Sequence, residues 1–248
     1  MKLSIMVQFH NELNYMPYWF SNILDLADEV IVGVDTSGDG CKEWLDLLYL
    51  GVPLHIVTVA NDIIYREGFA ALRNQLVKYA TGDWILWLDA DEILEASRHD
   101  IEAAISGAET AVSFRRLTMV TAAKPHWTLD NLLQIKQESE FVADPQIRLF
   151  KNNIGIHWKG LLHEELFLPS GQNLSTVANK SALEIYHYSN LALPGRNHRK
   201  AMQASELLLR LVEHPELREG INPYWYTEFY EANKRSLEEY REGFRKLL

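Results

Sequence analysis

The chain has 248 residues, 47% of them hydrophobic and 23% charged, which are the proportions of a folded globular domain and exclude a disordered chain. Its 24 Lys and Arg residues against 34 Asp and Glu residues give a formal net charge of −10, which excludes a general nucleic-acid-binding protein. Cys41 is the single cysteine, so an internal disulfide and Cys-based zinc clusters are excluded.

The first half of the chain predicts strands that alternate with helices. Apolar, β-branched runs indicate strands at Leu3–Val7, Glu29–Val34, Leu54–Val59 and Trp84–Leu88. Helical patterns lie between them, the first with Pro17 near its start and the others at Trp44–Leu50 and Gly68–Tyr79. This order predicts an α/β fold with a mostly parallel central sheet and helices on both of its faces.

The second half of the chain has a weaker pattern until its helical end. Ala111–Leu117 and Leu183–Tyr188 are predicted strands, whereas Thr121–Pro145 has no clear period, which favours a mobile or acceptor-facing segment. Near the end of the chain, Met202, Leu207, Leu208 and Leu211 have the spacing of an amphipathic helix, and Tyr224–Leu248 indicates a second helix. We therefore predict one domain at residues 1–200 and a C-terminal helical extension, residues 201–248, packed on the same domain.

No part of the sequence has the pattern of a signal peptide or a transmembrane helix. Met1–Val7 carries one Lys and is followed by polar residues. The apolar stretch Leu47–Val59 is interrupted by Gly51, Pro53 and His55, and it is shorter than the roughly 20 residues that a membrane helix needs. Together with the single cysteine, this predicts a soluble, cytoplasmic protein.

Two acidic loops follow predicted strands. Asp35 and Asp39 come after one strand, and Asp89-Ala90-Asp91 comes directly after another. Ligands of parallel sheets collect at the carboxyl ends of the strands. Carboxylates two residues apart can share Mg²⁺ or Mn²⁺ with phosphate oxygens, since these ions use few protein ligands. An exposed acidic turn is the alternative interpretation of an isolated Asp-X-Asp.

Short motifs occur in a fixed order along residues 3–200. They are Asn11-Glu12, Val34–Gly40, Leu72-Arg73-Asn74, Gly82-Asp83, Asp89-Ala90-Asp91, Arg148-Leu149-Phe150, His163-Glu164 and Tyr186-His187-Tyr188. Together these motifs resemble those of family 2 glycosyltransferases. The sequence departs from the family at Ser37-Gly38, where the usual Gly-Ser order is reversed, and at Ser189, which replaces Gly.

The resemblance implies the GT-A fold and a transferase that moves a hexose from a nucleoside-diphosphate donor, with a UDP-sugar favoured. The acceptor would be a hydroxyl of a glycan, lipid or protein, and inversion is expected. The implied donor-binding residues are Glu12, Asp35, Asp39, Arg73, Asp89 and Ala90.

The resemblance also implies a divalent cation, Mn²⁺ or Mg²⁺, and a general base. The cation is assigned to Asp91, with Asp89, His163 and His187 as further candidates. Glu164 is the candidate general base and Glu165 is its alternative, because a carboxylate must take the proton of the attacking hydroxyl. The alternative interpretation is that His163 and His187 only pack or hydrogen-bond within the fold and that Glu164 is a solvated surface charge.

Two other functions stay open at this point. Nucleotidyltransferases also place a strand-end aspartate and a metal on a nucleotide-binding sheet, but Gln8–Tyr15 lacks the Gly-rich basic loop that they normally carry. The other alternative is a non-catalytic module that binds a sugar nucleotide or a glycan. The sequence does not indicate the sugar, the acceptor or the oligomeric state.

Overall fold

The structure is a computed structural model that describes residues 1–35, 38–60, 63–124, 126–189, 191, 196–219 and 221–245. Thr36 and Ser37 of the predicted Val34–Gly40 loop lie outside the described residues. Pro125, residues 192–195 and residues 246–248 of the predicted segments lie outside them as well.

The described residues form an α/β fold. Its strands are β1 Leu3–Phe9, β2 Glu29–Val34, β3 Leu54–Thr58, β4 Trp84–Trp87, β5 Glu92–Glu95, β6 Ala111–Met119, β7 Phe141–Lys151, β8 His157–Lys159, β9 Glu165–Phe167 and β10 Asn179–His187. Its α-helices are α1 Met16–Ile23, α2 Cys41–Leu47, α3 Ile63–Val77, α4 Arg98–Ser106, α5 Leu132–Glu138, α6 Arg196–Glu213 and α7 Glu228–Arg245. Short 3₁₀ turns occur at Leu129–Asn131, Leu174–Thr176, Pro215–Arg218 and Pro223–Tyr226.

The central sheet has the strand order β3-β2-β1-β4-β7-β6-β10-β5. The pairs β3-β2, β2-β1, β1-β4 and β6-β10 are parallel, and the pairs β4-β7, β7-β6 and β10-β5 are antiparallel. Strands β8 and β9 pair with each other outside this sheet. The predicted mostly parallel α/β sheet with a helical C-terminus is confirmed.

The middle of the sheet is buried on both faces, as its continuous apolar strands require. Side chains alternate along β1: Ile5 and Val7 pack into the core that contains α1, whereas Met6 packs into the core that contains α3. Helix α1 buries Trp19 and Ile23 four residues apart, which is the spacing of one helix face. Helices therefore cover both faces of the sheet.

Strands β2, β1 and β4 end at one edge of the sheet. Their register pairs Val34 with Phe9 and Met6 with Trp87. The loops that begin at Asp35 and Leu88 are therefore separated only by the loop after β1, which brings the two predicted acidic loops to the same edge.

Helix α3 has a kink at Gly68 that positions a later loop. Gly68 has φ of +82°, and a Cβ atom there would lie 2.5 Å from the Cα of Leu161. Next to the kink, the Phe69 amide donates a 3.0 Å hydrogen bond to the Leu161 carbonyl oxygen. Glycine at this position thus allows residues 161–164 to lie directly against α3.

Some predicted elements were wrong in position or type. Helix α2 begins at Cys41, three residues before the prediction, because Asp39 accepts a hydrogen bond from the Cys41 amide at 3.0 Å. Thr121–Pro145, in which no element was predicted, includes the 3₁₀ turn Leu129–Asn131, α5 and the start of β7. Strand β5 and helix α4 have no counterpart in the sequence prediction.

The helical extension packs on the rest of the fold. Leu207 of α6 is buried in the same core as α3, and Leu211 packs with Leu161. None of the described helices combines the length and the apolar character that a bilayer span requires.

Candidate active site

An open cleft of about 600 Å³ lies at the edge of the sheet where β1 and β4 end. Strands β6, β7 and β10, helix α3 and the C-terminal extension supply its other walls. The lining side chains are mainly polar: Gln8, His10, Glu12, Ile64, Phe69, Arg73, Asp89, Ala90, Asp91, Arg116, Asp144, Gln146, Arg148, Leu162, His163, Glu164, Glu165, His187, Gln203, Asn222 and Trp225. The volume is typical of a small-molecule site.

Both carboxylate oxygens of Asp89 are hydrogen-bonded. Oδ1 accepts from Trp87 Nε1 at 2.8 Å and from Arg73 Nη2 at 3.1 Å, and Oδ2 accepts from Arg148 Nη2 at 2.7 Å. Burial acts to raise the pKa of Asp89, but Arg148 and Arg73 outweigh it and hold the pKa well below its ordinary value. Asp89 is therefore a fixed anion between two guanidinium groups.

Charged side chains of alternating sign cross the floor of the cleft. Their order is Glu164, Arg73, Asp89, Arg148, Glu92, Arg116 and Asp144. Glu92 is fully buried, ion-pairs with Arg148, and accepts a 3.0 Å hydrogen bond from the Asp89 amide. Each carboxylate in the interior of this row is thus compensated by arginine, as buried charges require.

The side chain of Glu164 is buried and contacts Arg73. Its Oε1 lies 2.9 Å from Arg73 Nη2, and the Arg73 guanidinium also lies over the ring of Trp87 at 4.5 Å. Burial raises the pKa of Glu164, and Arg73 opposes part of that increase. A buried carboxylate with a raised pKa at a cleft wall has the chemistry of a general base.

Asp91 and His187 lie beside each other in the cleft. His187 Nε2 is 3.5 Å from Asp91 Oδ2, and the amide of Tyr188 donates a 2.9 Å hydrogen bond to the Asp91 carbonyl oxygen. Two donors that bind one ion at about 2.1 Å each can lie about 3 Å apart. One carboxylate oxygen and one imidazole nitrogen are a donor pair that suits Mn²⁺, so these residues fit a divalent cation.

The other two predicted cation ligands are not part of this pair. Both oxygens of Asp89 accept hydrogen bonds from Trp87, Arg73 and Arg148, and the His163 ring stacks on Trp225 at 3.6 Å. Over the described ranges, no group of three or more His, Cys, Asp or Glu side chains is arranged to hold a metal ion. The structure thus places Asp91 and His187 side by side, and the assignment of Asp89 and His163 as cation ligands stays a prediction.

His163 has an unusual backbone and a shifted pKa. Its φ is +55°, a conformation that few non-glycine residues adopt. His163 lies two residues after Leu161, the residue that packs against Gly68. Burial lowers the pKa of His163 to about 4, with a smaller contribution from Arg116. The imidazole is therefore neutral near pH 7 and packs against Trp225.

The predicted nucleoside-binding residues lie on the β1 and β2 side of the cleft. His10 Nδ1 hydrogen-bonds to the buried carboxylate of Asp35, and His10 and the buried Glu12 line the cleft. Asp39 instead accepts hydrogen bonds from the amides of Leu13 and Cys41, at 3.1 and 3.0 Å. Asp35 therefore contacts a lining residue, whereas Asp39 fastens its loop to the chain after β1.

Two predicted residues have simpler surroundings. Ala90 is buried and lines the cleft between the two aspartates. Glu165 is exposed at the start of β9, where its carboxylate accepts a hydrogen bond from the amide of Asn173. Glu164 rather than Glu165 therefore has the buried, charge-paired environment.

Several lining residues were not assigned a role from the sequence. Arg148 was noted only within the Arg-Leu-Phe motif, and its two carboxylate partners follow from the antiparallel pairing of β7 with β4. Arg116 and Gln146 reach the cleft through the β6-β7 pairing, and Trp225 reaches it from the C-terminal extension. Of these four residues, only Arg148 belongs to a motif that the sequence analysis identified.

Comparison with known proteins confirms the resemblance predicted from the sequence. The family model described as glycosyl transferase family 2 matches residues 4–111. The SPbeta prophage-derived glycosyltransferase SunS of Bacillus subtilis is 24% identical over 226 residues, which are 89% of this chain and 46% of SunS. A TPR repeat-containing protein of Synechococcus elongatus is 37% identical over 97 residues, which are 38% of this chain and 22% of that protein. The chain thus spans less than half the length of each of these curated relatives.

Solved structures share the fold. S. aureus TarS superposes with a TM-score of 0.51 at 16% identity, over 86% of this chain and 43% of that chain. A structure of TarS in complex with UDP gives a TM-score of 0.51 at 16% identity, over 94% of this chain and 72% of that chain. At this identity the likeness concerns the fold alone, and it confirms the predicted GT-A fold class.

Proposed function

Because residues 4–111 match glycosyl transferase family 2, we propose that the chain transfers a hexose from a nucleoside-diphosphate donor to an acceptor hydroxyl. The observation that carries this proposal is that one cleft contains Asp89, held by two arginines, and Asp91, which lies beside His187. One carboxylate is thereby fixed in the floor, and the other forms a donor pair with an imidazole.

The donor half of the cleft is the edge where β1, β2 and β4 end. We propose that Asp35, Glu12 and Asp89 hydrogen-bond to the nucleoside, because carboxylates at strand ends accept from base N–H groups and from ribose hydroxyls. Arg73 would contact the diphosphate or the base. A TarS structure of the same fold contains UDP, which supports UDP as the first nucleotide to test.

Asp91 and His187 would hold the divalent cation, Mn²⁺ or Mg²⁺. When bound, the cation supplies positive charge that stabilises the diphosphate leaving group. The lining carboxylates outnumber the lining arginines. The carboxylates are Glu12, Asp89, Asp91, Asp144, Glu164 and Glu165, and the arginines are Arg73, Arg116 and Arg148. An anionic donor therefore needs such a cation to bind here.

Glu164 would take the proton of the acceptor hydroxyl. Its carboxylate is buried at the cleft wall and Arg73 opposes its protonation, so both its position and its charge suit this role. Direct attack by the acceptor on the sugar would invert the anomeric configuration. The acceptor, a glycan, lipid or protein, would enter between the β6-β7 side and the C-terminal extension.

Two further statements belong to the same proposal. Residues 1–200 would form the glycosyltransferase domain, and residues 201–248 would be an extension that completes its acceptor wall with Gln203, Asn222 and Trp225. The cytoplasm is the proposed compartment, since Cys41 is buried and no other cysteine occurs in the sequence.

A nucleotide-release assay tests the proposal. UDP-sugars are incubated with the full chain and Mn²⁺, and free UDP is measured without acceptor and with candidate acceptors. We expect release by the unchanged chain and at least a 100-fold loss in Asp91→Asn, because that change removes the proposed cation-binding charge. Asp25→Asn, an exposed aspartate on the surface, is the matched control and should keep full activity. Equal activity of the two variants would contradict the assignment of Asp91.

A further inference from the structure

Thr118 contacts the proposed cation ligand His187 on the side opposite Asp91. Thr118 Oγ1 lies 3.2 Å from His187 Nδ1, while His187 Nε2 lies 3.5 Å from Asp91 Oδ2. The imidazole ring is thus contacted through both of its nitrogens, by one hydroxyl and by one carboxylate.

The sheet fixes this order of contacts. Strand β10 lies between β5 and β6, and His187 at its end pairs with Glu92 of β5 and with Thr118 of β6. Asp91 is the residue immediately before Glu92, so the β5 neighbour brings the carboxylate to one side of the ring. The β6 neighbour brings the hydroxyl to the other side.

We infer that Thr118 is a positioning residue that keeps His187 Nε2 directed toward the cation. An imidazole binds a metal through the lone pair of one nitrogen, so its other nitrogen must carry the proton. The Thr118 hydroxyl can accept from Nδ1–H, which leaves the Nε2 lone pair facing Asp91. Partners of this kind fix the tautomer and the ring orientation of metal-binding histidines.

The Thr118 hydroxyl can also hydrogen-bond to His187 when no cation is bound. Without a cation, Nε2–H can donate to the Asp91 carboxylate, and the Thr118 hydroxyl can rotate to donate to Nδ1. The ring then keeps its place between the two neighbouring strands in both states. The inference rests on the proposed cation site at Asp91 and His187, and it adds the residue that prepares this site.

Binding of Mn²⁺ in the presence of UDP tests the inference without turnover. The full chain is titrated with Mn²⁺ in the presence of UDP, and free Mn²⁺ is followed by electron paramagnetic resonance. We expect Thr118→Val to weaken Mn²⁺ binding about 10-fold, within the range known for loss of such partners. Thr118→Ser, which keeps the hydroxyl, should restore binding to within about 2-fold of the original. His187→Ala, which removes the proposed ligand itself, gives the largest expected loss of Mn²⁺ affinity for comparison.

The selectivity between cations adds a second readout. Imidazole suits Mn²⁺ better than Mg²⁺, so Thr118→Val should weaken Mn²⁺ binding more than Mg²⁺ binding. Thr118→Ala is measured in the same way if the valine variant does not fold.

The possible failures are distinguishable. Unchanged Mn²⁺ affinity in Thr118→Val, together with a loss in Asp91→Asn and His187→Ala, overturns the role of Thr118 and leaves the cation site in place. Mn²⁺ binding that is indifferent to Asp91→Asn and His187→Ala contradicts the proposed cation site itself.

Discussion

At the scale of single residues, Asp89 and Asp91 have different surroundings although only Ala90 separates them. Asp89 accepts hydrogen bonds from Arg73, Arg148 and Trp87, which hold its pKa low and leave it permanently charged. Asp91 lies beside His187 instead. We therefore propose different tasks for the two carboxylates of this motif, fixed hydrogen bonding for Asp89 and cation binding for Asp91.

The pH dependence of turnover tests the role of Glu164. Because burial raises the pKa of Glu164, a base at this position loses activity as the pH falls through a value above the ordinary pKa of a glutamate. We expect kcat at saturating donor to show this acidic limb. Glu164→Gln should lower kcat by about 10² to 10⁴-fold with little change in donor affinity.

Glu165→Gln is the matched comparison for that experiment. Glu165 is the next residue, is exposed, and hydrogen-bonds to Asn173, so its loss should leave kcat and the acidic limb nearly unchanged. An acidic limb that survives in Glu164→Gln and disappears in Glu165→Gln would reassign the base to Glu165.

At the scale of elements, the site depends on strands β2, β1 and β4 ending in register. At the opposite ends of these three strands, a buried glutamate links them through hydrogen bonds. Glu29 at the start of β2 accepts hydrogen bonds from Ser4 of β1 at 2.5 Å and from the Thr81 and Gly82 amides before β4 at 2.6 and 3.2 Å. Burial acts to raise the pKa of Glu29, but the hydrogen bonds from Ser4 and Thr81 outweigh it and lower the pKa to about 2.

Glu29→Gln tests this tie as a change in stability. Because the folded-state pKa lies below the ordinary value, the charged form stabilises the fold fully above about pH 4.5, and this contribution is lost as the pH falls through about 2. We expect the variant to lower the free energy of unfolding in urea by about 2 kcal/mol at neutral pH, and by less near pH 2.5. The exposed Glu43→Gln is the control, and an equal effect of both variants would refute the tie.

The sequence predicts the elements of the parallel half of the sheet and the residues that lie at its edge. It does so because β1, β2 and β4 are continuous apolar runs and because Asp35 and Asp89 lie within two residues of the ends of β2 and β4. It does not predict β5, whose four residues carry too short a pattern, nor the β6-β7 register that brings Arg116 to Asp144. Contacts between distant segments leave no periodic signal in a single sequence.

At the scale of the whole molecule, the cleft is completed by parts that are far apart in the chain. Trp225 belongs to the C-terminal extension, yet its ring stacks on His163, and Leu211 and Ile221 pack against Leu161 of the same loop. The extension therefore supports the loop that carries Glu164. The donor side comes from the N-terminal half, so the proposed reaction takes place where the two halves meet.

Nucleotide binding by the intact chain is the most direct test of the central claim. The melting temperature is measured with UDP, GDP, CDP or dTDP, each in Mn²⁺ and in EDTA. A ligand at 100 times its Kd adds about 2.7 kcal/mol, which corresponds to about 5 to 10 °C for a chain of this size. We predict that UDP raises the melting temperature by this amount with Mn²⁺ and not with EDTA. No shift with any of the four nucleotides, or equal shifts in EDTA, would contradict the account.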